Sequence, residues 1–259
     1  MSKGAFGRNF SVYADASLNG IPVECFSIEK QKHNLSLSSG DNLLDLTKST
    51  LVDAQQWLPF FAEQYNISAK MNDYLVVPVI IMPSDLPNRN GVGFPYQELV
   101  KANVEAGQLS YQTWRGKPTY IDHVNRDHTK AKGIILASAF RPMQRSRGNL
   151  WKVILLTAFD RSRDPVLANQ ILTGERNAYS MGAWTGHFTC SFCQAHHGAK
   201  AGCEHISLAQ PRMSIRKDTA DKNQLVFLQG RDVIGFELSS VKQPAYLSAV
   251  TNEIMTWES

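Results

Sequence analysis

Three cysteines and one histidine crowd into a single short stretch, as Cys190-x-x-Cys193 and Cys203-x-His205. No other feature of the chain restricts its folding as strongly. Four donors of this kind can surround one ion tetrahedrally, tying two turns together. A closed four-ligand set leaves no position for water or substrate, so the reading is a structural zinc site, not a catalytic one. His196 and His197, between the two pairs, compete as ligands. The alternative is a polar loop of reduced thiols. A redox CxxC is disfavoured, because no thioredoxin-like βαβ pattern surrounds it. The chain has only four cysteines, and this bunching suits metal ligation in a reducing compartment better than a disulfide framework. Cys25 stands apart and reads as a buried apolar residue.

The net charge of +4, from 27 basic and 23 acidic residues, is too weak to argue for nucleic acid, since a solvated surface yields the same balance. The first ten residues lack an apolar stretch, so no signal peptide is expected. The longest apolar run, residues 74–82, is far too short to span a bilayer and contains Pro78. Apolar spacing predicts a helix over 41–65 interrupted near Pro59, and a short helix over 95–106 stopped by Gly107. A third helix is expected over 164–172, with Pro165 at its start. Strands are predicted at 75–82, 118–123, 133–140, 151–159, 179–183, 225–228 and 232–241. Residues 141–149 read as a hairpin loop. The sum is an α+β chain with a β-rich core, its helices placed between strands without a regular βαβ alternation.

Ser180 sits in Tyr179-Ser180-Met181-Gly182, and His123 ends the strand Tyr120-Ile121-Asp122-His123. A serine hydroxyl is a poor nucleophile at neutral pH and needs an imidazole to take its proton. The imidazole needs a partner on its other nitrogen, and Glu237, alternating with apolar neighbours in Gly235-Phe236-Glu237-Leu238-Ser239, can fill that role. Gly182 is read as leaving backbone room for substrate and for N–H donors to an oxyanion. Each residue also has a plainer reading: a surface serine, a partly buried histidine, a solvent-facing carboxylate. The sequence around Ser180 is not the G-x-S-x-G elbow, because residue 178 is alanine. Asp122, Asp127 and His128 are further candidates near His123.

Four segments carry a resemblance. They are Gly116 to His123 followed by Gly133-Ile134-Ile135; Asp160-Arg161, Ile171-Leu172 and Gly174-Glu175 leading into Tyr179 to Gly182; the Cys190/Cys193/Cys203/His205 cluster; and Phe236 to Ser239 with Val241 and Pro244-Ala245. In this order and spacing the chain resembles the prohead (capsid maturation) proteases of tailed phages, relatives of herpesvirus assemblin. The resemblance covers residues 93–250. It leaves 1–92 as a partly helical, extra or removable N-terminal region and 251–259 as a tail, with the Cys/His insert at about 186–207. It implies a partly closed barrel of mostly antiparallel strands, surrounding helices and a small Cys/His knuckle.

By that resemblance the chain is a serine endopeptidase acting inside the assembling prohead in the host cytoplasm. Its catalytic residues are Ser180, His123 and Glu237. Its substrates are scaffold and core proteins, the major capsid protein and the chain itself, and relatives often cut after an acidic residue. No membrane and no direct nucleic-acid role are implied; the herpesvirus relatives work as dimers, which does not transfer by motif, so a homo-oligomer stays open. Those relatives use a second histidine as third member, which keeps His128, His187 and His205 in play. Two other classes remain: a metal-dependent nuclease of the His-Asn-His kind, built on His123, Asn125 and His128, and an inactive zinc-bearing capsid or scaffold component.

Overall fold

A computed structural model describes residues 14–18, 21–26, 43–104, 106–143, 150–198, 202–206, 213–217, 220, 222–246 and 249. Residues 144–149 of the expected hairpin loop, Cys25's side chain and the tail 251–259 lie outside the described set. Helix α1 spans Leu43–Tyr65, and strand β1 follows as Tyr74–Pro83. Next come β2 (Pro118–Ile121), β3 (Gly133–Pro142) and β4 (Trp151–Asp160). Helix α2 (Pro165–Leu172) leads into β5 (Tyr179–Trp184) and β6 (His187–Cys190). The last strands are β7 (Leu228–Arg231) and β8 (Ile234–Ser240).

Six of these strands form one sheet in the order β5-β8-β2-β3-β4-β1, antiparallel throughout except for the parallel β8–β2 pair. The fold is α+β, and this sheet curls into a half-barrel. Its register shifts between Ile80 and Met82 in β1 and between Ile135 and Ala137 in β3, bulges that increase local twist and bend the strands. Pro78 is accommodated because β1 is the end strand, where a missing N–H costs least. Its apolar run serves both faces. Tyr74 and Val76 meet α1 through Ala54, Leu58 and Tyr65, while Leu75, Val77 and Val79 point into the curl against α2's Leu167 and Ile171. Strand β1 precedes residue 93 yet pairs along its length with β4, so the sheet draws on both sides of that position.

Two helix expectations change. Helix α1 runs through Pro59 without a break. Pro59 is exposed, opposite the buried stripe Ala54, Leu58 and Ala62, so its missing hydrogen bond falls on the solvent side. The segment 95–106 is helical only over Tyr96–Leu99 and then turns into a small hairpin, Ala102–Asn103 with Gln108–Leu109. Asn103 Oδ1 accepts from the Ala106 N–H, and Gly107 has φ +64°, so turn chemistry prevails over helical spacing. Helix α2 agrees with expectation, with Asp164 accepting from Leu167 N–H at 2.9 Å as its N-cap.

A second sheet has the order His196–His197, β6, β7, Val92–Gly93. β5 and β6 are separated only by Thr185 and Gly186, and β7 and β8 only by Asp232 and Val233. The two pairs therefore form one long antiparallel ribbon, from Tyr179 opposite Ser240 to Cys190 opposite Leu228. Ser180 and Glu237 lie at one end of this ribbon and the cysteine cluster at the other.

Candidate active site and metal centre

The parallel pairing of β2 with β8 ends at Ile121 opposite Ser240. Beyond it the chain turns sharply, with Asp122 and His123 both left-handed at φ +48° and +58°. The turn leans on β8: Asp122 N–H donates to the Ser240 carbonyl at 3.0 Å, and His123 N–H to Ser239 Oγ at 3.2 Å. This lays the imidazole against Glu237, with His123 Nδ1 2.8 Å from Glu237 Oε1. Ser239 Oγ–H donates to Glu237 Oε2 at 2.6 Å, so each carboxylate oxygen has a partner. Glu237 is wholly buried, whereas the His123 side chain is 43% exposed. Sequence alone assigned Ser239 no role in the site. Its signal is the two-residue spacing from Glu237, which puts both on one face of a strand.

Ser180 lies opposite Ser239, and Gly182 opposite Glu237. Directly opposed residues share a sheet face with Cβ atoms about 4.5–5.5 Å apart, so Ser180 stands on the face that carries Glu237 and Ser239. No hydrogen bond joins Ser180 Oγ to the His123 ring. Tyr179 N–H donates to Ala249 O, away from β8. By strand alternation the Met181 N–H also points away from β8, and it has no partner among the described residues.

Gly182 does something other than make room for substrate. A Cβ there would lie 2.5 Å from Glu237 Oε1 and 2.6 Å from Phe236 Cζ. The glycine is the space that the buried carboxylate occupies. Gly182→Ala is expected to lower stability by about 1–3 kcal/mol, as overpacking does, and to push Glu237 off the imidazole. Denaturant unfolding, with NMR of the His123 ring nitrogens, checks both effects.

Glu237 raises the His123 pKa above its ordinary value through the hydrogen bond, with burial opposing. A raised folded-state value means that protonated His123 stabilises the fold. That contribution is fully present below the unfolded value of about 6.5 and is lost as pH rises through the folded one. Unfolding measured across this window should show the dependence in the wild type and not in Glu237→Gln.

The other histidines are engaged elsewhere. His128 Nδ1 is 3.3 Å from the Tyr120 hydroxyl, and His187 Nδ1 is 3.3 Å from Asp232 Oδ2. His205 joins the cysteine cluster. Asp122 contacts Arg176, and Asp127 accepts from Thr129 N–H as an N-cap. Asn125 meets His123 only through its backbone.

In the cluster, one ligand atom each from Cys190, Cys193, Cys203 and His205 lie within 4.8 Å of one another. Among the described residues this is the one group of such side chains that could hold a metal ion. Cys190 ends β6 inside a small core with Ile206, Val226 and Leu228. The turn after it is tight: Cys190 N–H reaches Ala195 O at 3.0 Å, and Phe192 N–H points at Cys190 Sγ at 3.4 Å. Donation from the Ala195 N–H is the chief cause that pulls the Cys193 thiol down to about 7, while burial pushes Cys190 up. Of the competing histidines, His197 places Nε2 3.2 Å from Cys203 Sγ, and His196 stacks on His187. Three thiols with one imidazole fit a borderline-soft divalent ion and are compatible with zinc. No family model matches this chain, and neither a curated protein nor a solved structure matches it.

Proposed function

We propose that the chain is a serine endopeptidase, with Ser180 as nucleophile, His123 as general base and acid, and Glu237 as the group that orients the imidazole. The observation that carries the reading is the 2.8 Å contact between His123 Nδ1 and a wholly buried carboxylate on the sheet face that bears Ser180. With Nδ1–H given to Glu237, Nε2 of the neutral ring is the proton acceptor. Ser180 Oγ attacks the scissile carbonyl as its proton passes to Nε2. The Met181 N–H, which strand alternation turns away from β8, is read as a donor for the oxyanion. Nε2 then protonates the leaving amine, and water repeats the sequence on the acyl-enzyme.

The resemblance assigns the substrates to scaffold and core proteins, the major capsid protein and the chain itself, cut inside the assembling prohead. Beside the His123 turn lies a pocket of about 300 Å³, lined by Ile121, Asp122, Val124, Lys130, Lys132 and Arg163. The metal is read as zinc held by Cys190, Cys193, Cys203 and His205; it cross-links the insert and takes no part in the chemistry. No helix among the described residues is long and apolar enough to cross a membrane.

Mass spectrometry of the purified protein over time, with and without a fluorophosphonate, tests the reading. Self-trimming that stops when the reagent marks Ser180 supports it. A stable chain that neither labels nor cleaves scaffold protein overturns it.

A further inference from the structure

The Asp122–His123 turn poses a mechanical problem. Two consecutive non-glycine residues in the left-handed region persist only where their surroundings hold them there. β8 supplies two holds, Ser240 O on Asp122 N–H and Ser239 Oγ on His123 N–H. Within the turn, the Val124 N–H also closes onto the Ile121 carbonyl at 3.0 Å.

A further hold comes from outside both the turn and β8. Arg176 lies just before β5, its N–H tied to Gln170 O at 2.9 Å near the end of α2. Its Nη1 donates to the Ser240 carbonyl at 3.2 Å, the acceptor that the Asp122 N–H already uses. Its Nη2 lies 3.4 Å from Asp122 Oδ2. The Arg176 side chain is only 16% exposed, so its charge is met by these acceptors together with the nearby carboxylate of Asp164.

We infer that Arg176 is a positioning residue for His123: it clamps Asp122 to the end of β8 and keeps the imidazole on Glu237. This rests on the peptidase reading but acts on a pair, His123 and Glu237, that can be observed without turnover. The planar guanidinium is what lets one side chain reach a carbonyl and a carboxylate together.

The charged groups around the ring are Glu237 from β8, Asp122 from its own turn and Arg176 behind Asp122. The pocket cations Lys130, Lys132 and Arg163 stay the same in every variant. Removing a positive charge near an imidazole raises the imidazole's pKa if electrostatics alone is at work. Losing the Glu237 hydrogen bond lowers it. The two roles of Arg176 therefore carry opposite signs.

The experiment is a ¹⁵N and ¹H NMR titration of the His123 ring in wild type, Arg176→Gln and Arg176→Lys, with kcat and KM on a scaffold peptide. Positioning predicts that the His123 pKa falls toward its ordinary value in Arg176→Gln. It also predicts that kcat drops about tenfold to a hundredfold with KM kept, and that Arg176→Lys recovers part of both. A raised or unchanged His123 pKa in Arg176→Gln overturns the inference, whatever the activity. If no peptide is cleaved by the wild type, the peptidase reading fails and the titration still decides the role of Arg176. Should Arg176→Gln not fold, Arg176→Lys carries the test. Its charge is kept and its single ammonium cannot bridge both acceptors, so an unshifted His123 there overturns the inference.

Discussion

Ser180→Ala is expected to leave the protein folded and to lower peptide cleavage by on the order of 10³–10⁶-fold. The two halves of this result have different causes. Ser180 is half-buried on β5, and its hydroxyl is not among the hydrogen bonds that hold the turn to β8. Removing it should change stability by no more than about 0.5 kcal/mol. The chemistry loses its nucleophile, so only binding and the oxyanion donors remain. Circular dichroism and urea unfolding check the first half. Mass spectrometry of self-trimming and of scaffold cleavage checks the second. An alanine variant that processes at the wild-type rate would remove Ser180 from the mechanism.

With the proposed zinc in the Cys/His cluster, stripping the metal is expected to have the largest effect on the fold. Apparent zinc-binding energies for such ligand sets are about 10–16 kcal/mol at neutral pH, comparable to the whole stability of a typical domain, about 5–15 kcal/mol. The Cys/His cluster sits at one end of the ribbon that β5–β6 forms with β7–β8. Removal should therefore release one zinc per chain and cancel hydrogen-exchange protection first in β6, β7 and residues 202–206. Protection around Tyr179 and Ser240 should persist longer, because those residues pair with the large sheet. Peptide cleavage should then decay more slowly than protection of the insert. Cys190→Ser should behave as the stripped protein does, since Cys190 joins the ligand set to the small core of Ile206, Val226 and Leu228. Protein purified without chelator that contains no zinc by metal analysis would refute the assignment.

What could be read in advance follows the range of the interactions. The strands stood out because their apolar runs are local, and β3, β4 and β8 appear close to where periodicity predicts them. Helix α2 did too, with its cap and Pro165. The failures were also local, settled by details that spacing does not report. Pro59 remains inside α1 because it faces solvent, and the segment after Leu99 turns because Asn103 and Gly107 favour a hairpin.

The site divides in the same way. Ser180, His123 and Glu237 could be picked out as residue types in suitable strands, and the four metal donors as a spaced motif. Their spacing along the chain cannot say which residues meet, because β2, β5 and β8 are joined only through long-range sheet pairing. Register alone sets Ser180 opposite Ser239 and Gly182 opposite Glu237. The left-handed turn at Asp122 and His123, the Ser239 hydroxyl between carboxylate and backbone, and the reach of Arg176 exist only once three strands converge. Sequence by itself determined the strands of the large sheet, helix α2, the strand-rich α+β class and the spaced Cys/His motif, since each follows from neighbours a few residues apart. Tertiary structure decided which carboxylate faces the imidazole and why residue 182 must be glycine, because both are set by distances between strands.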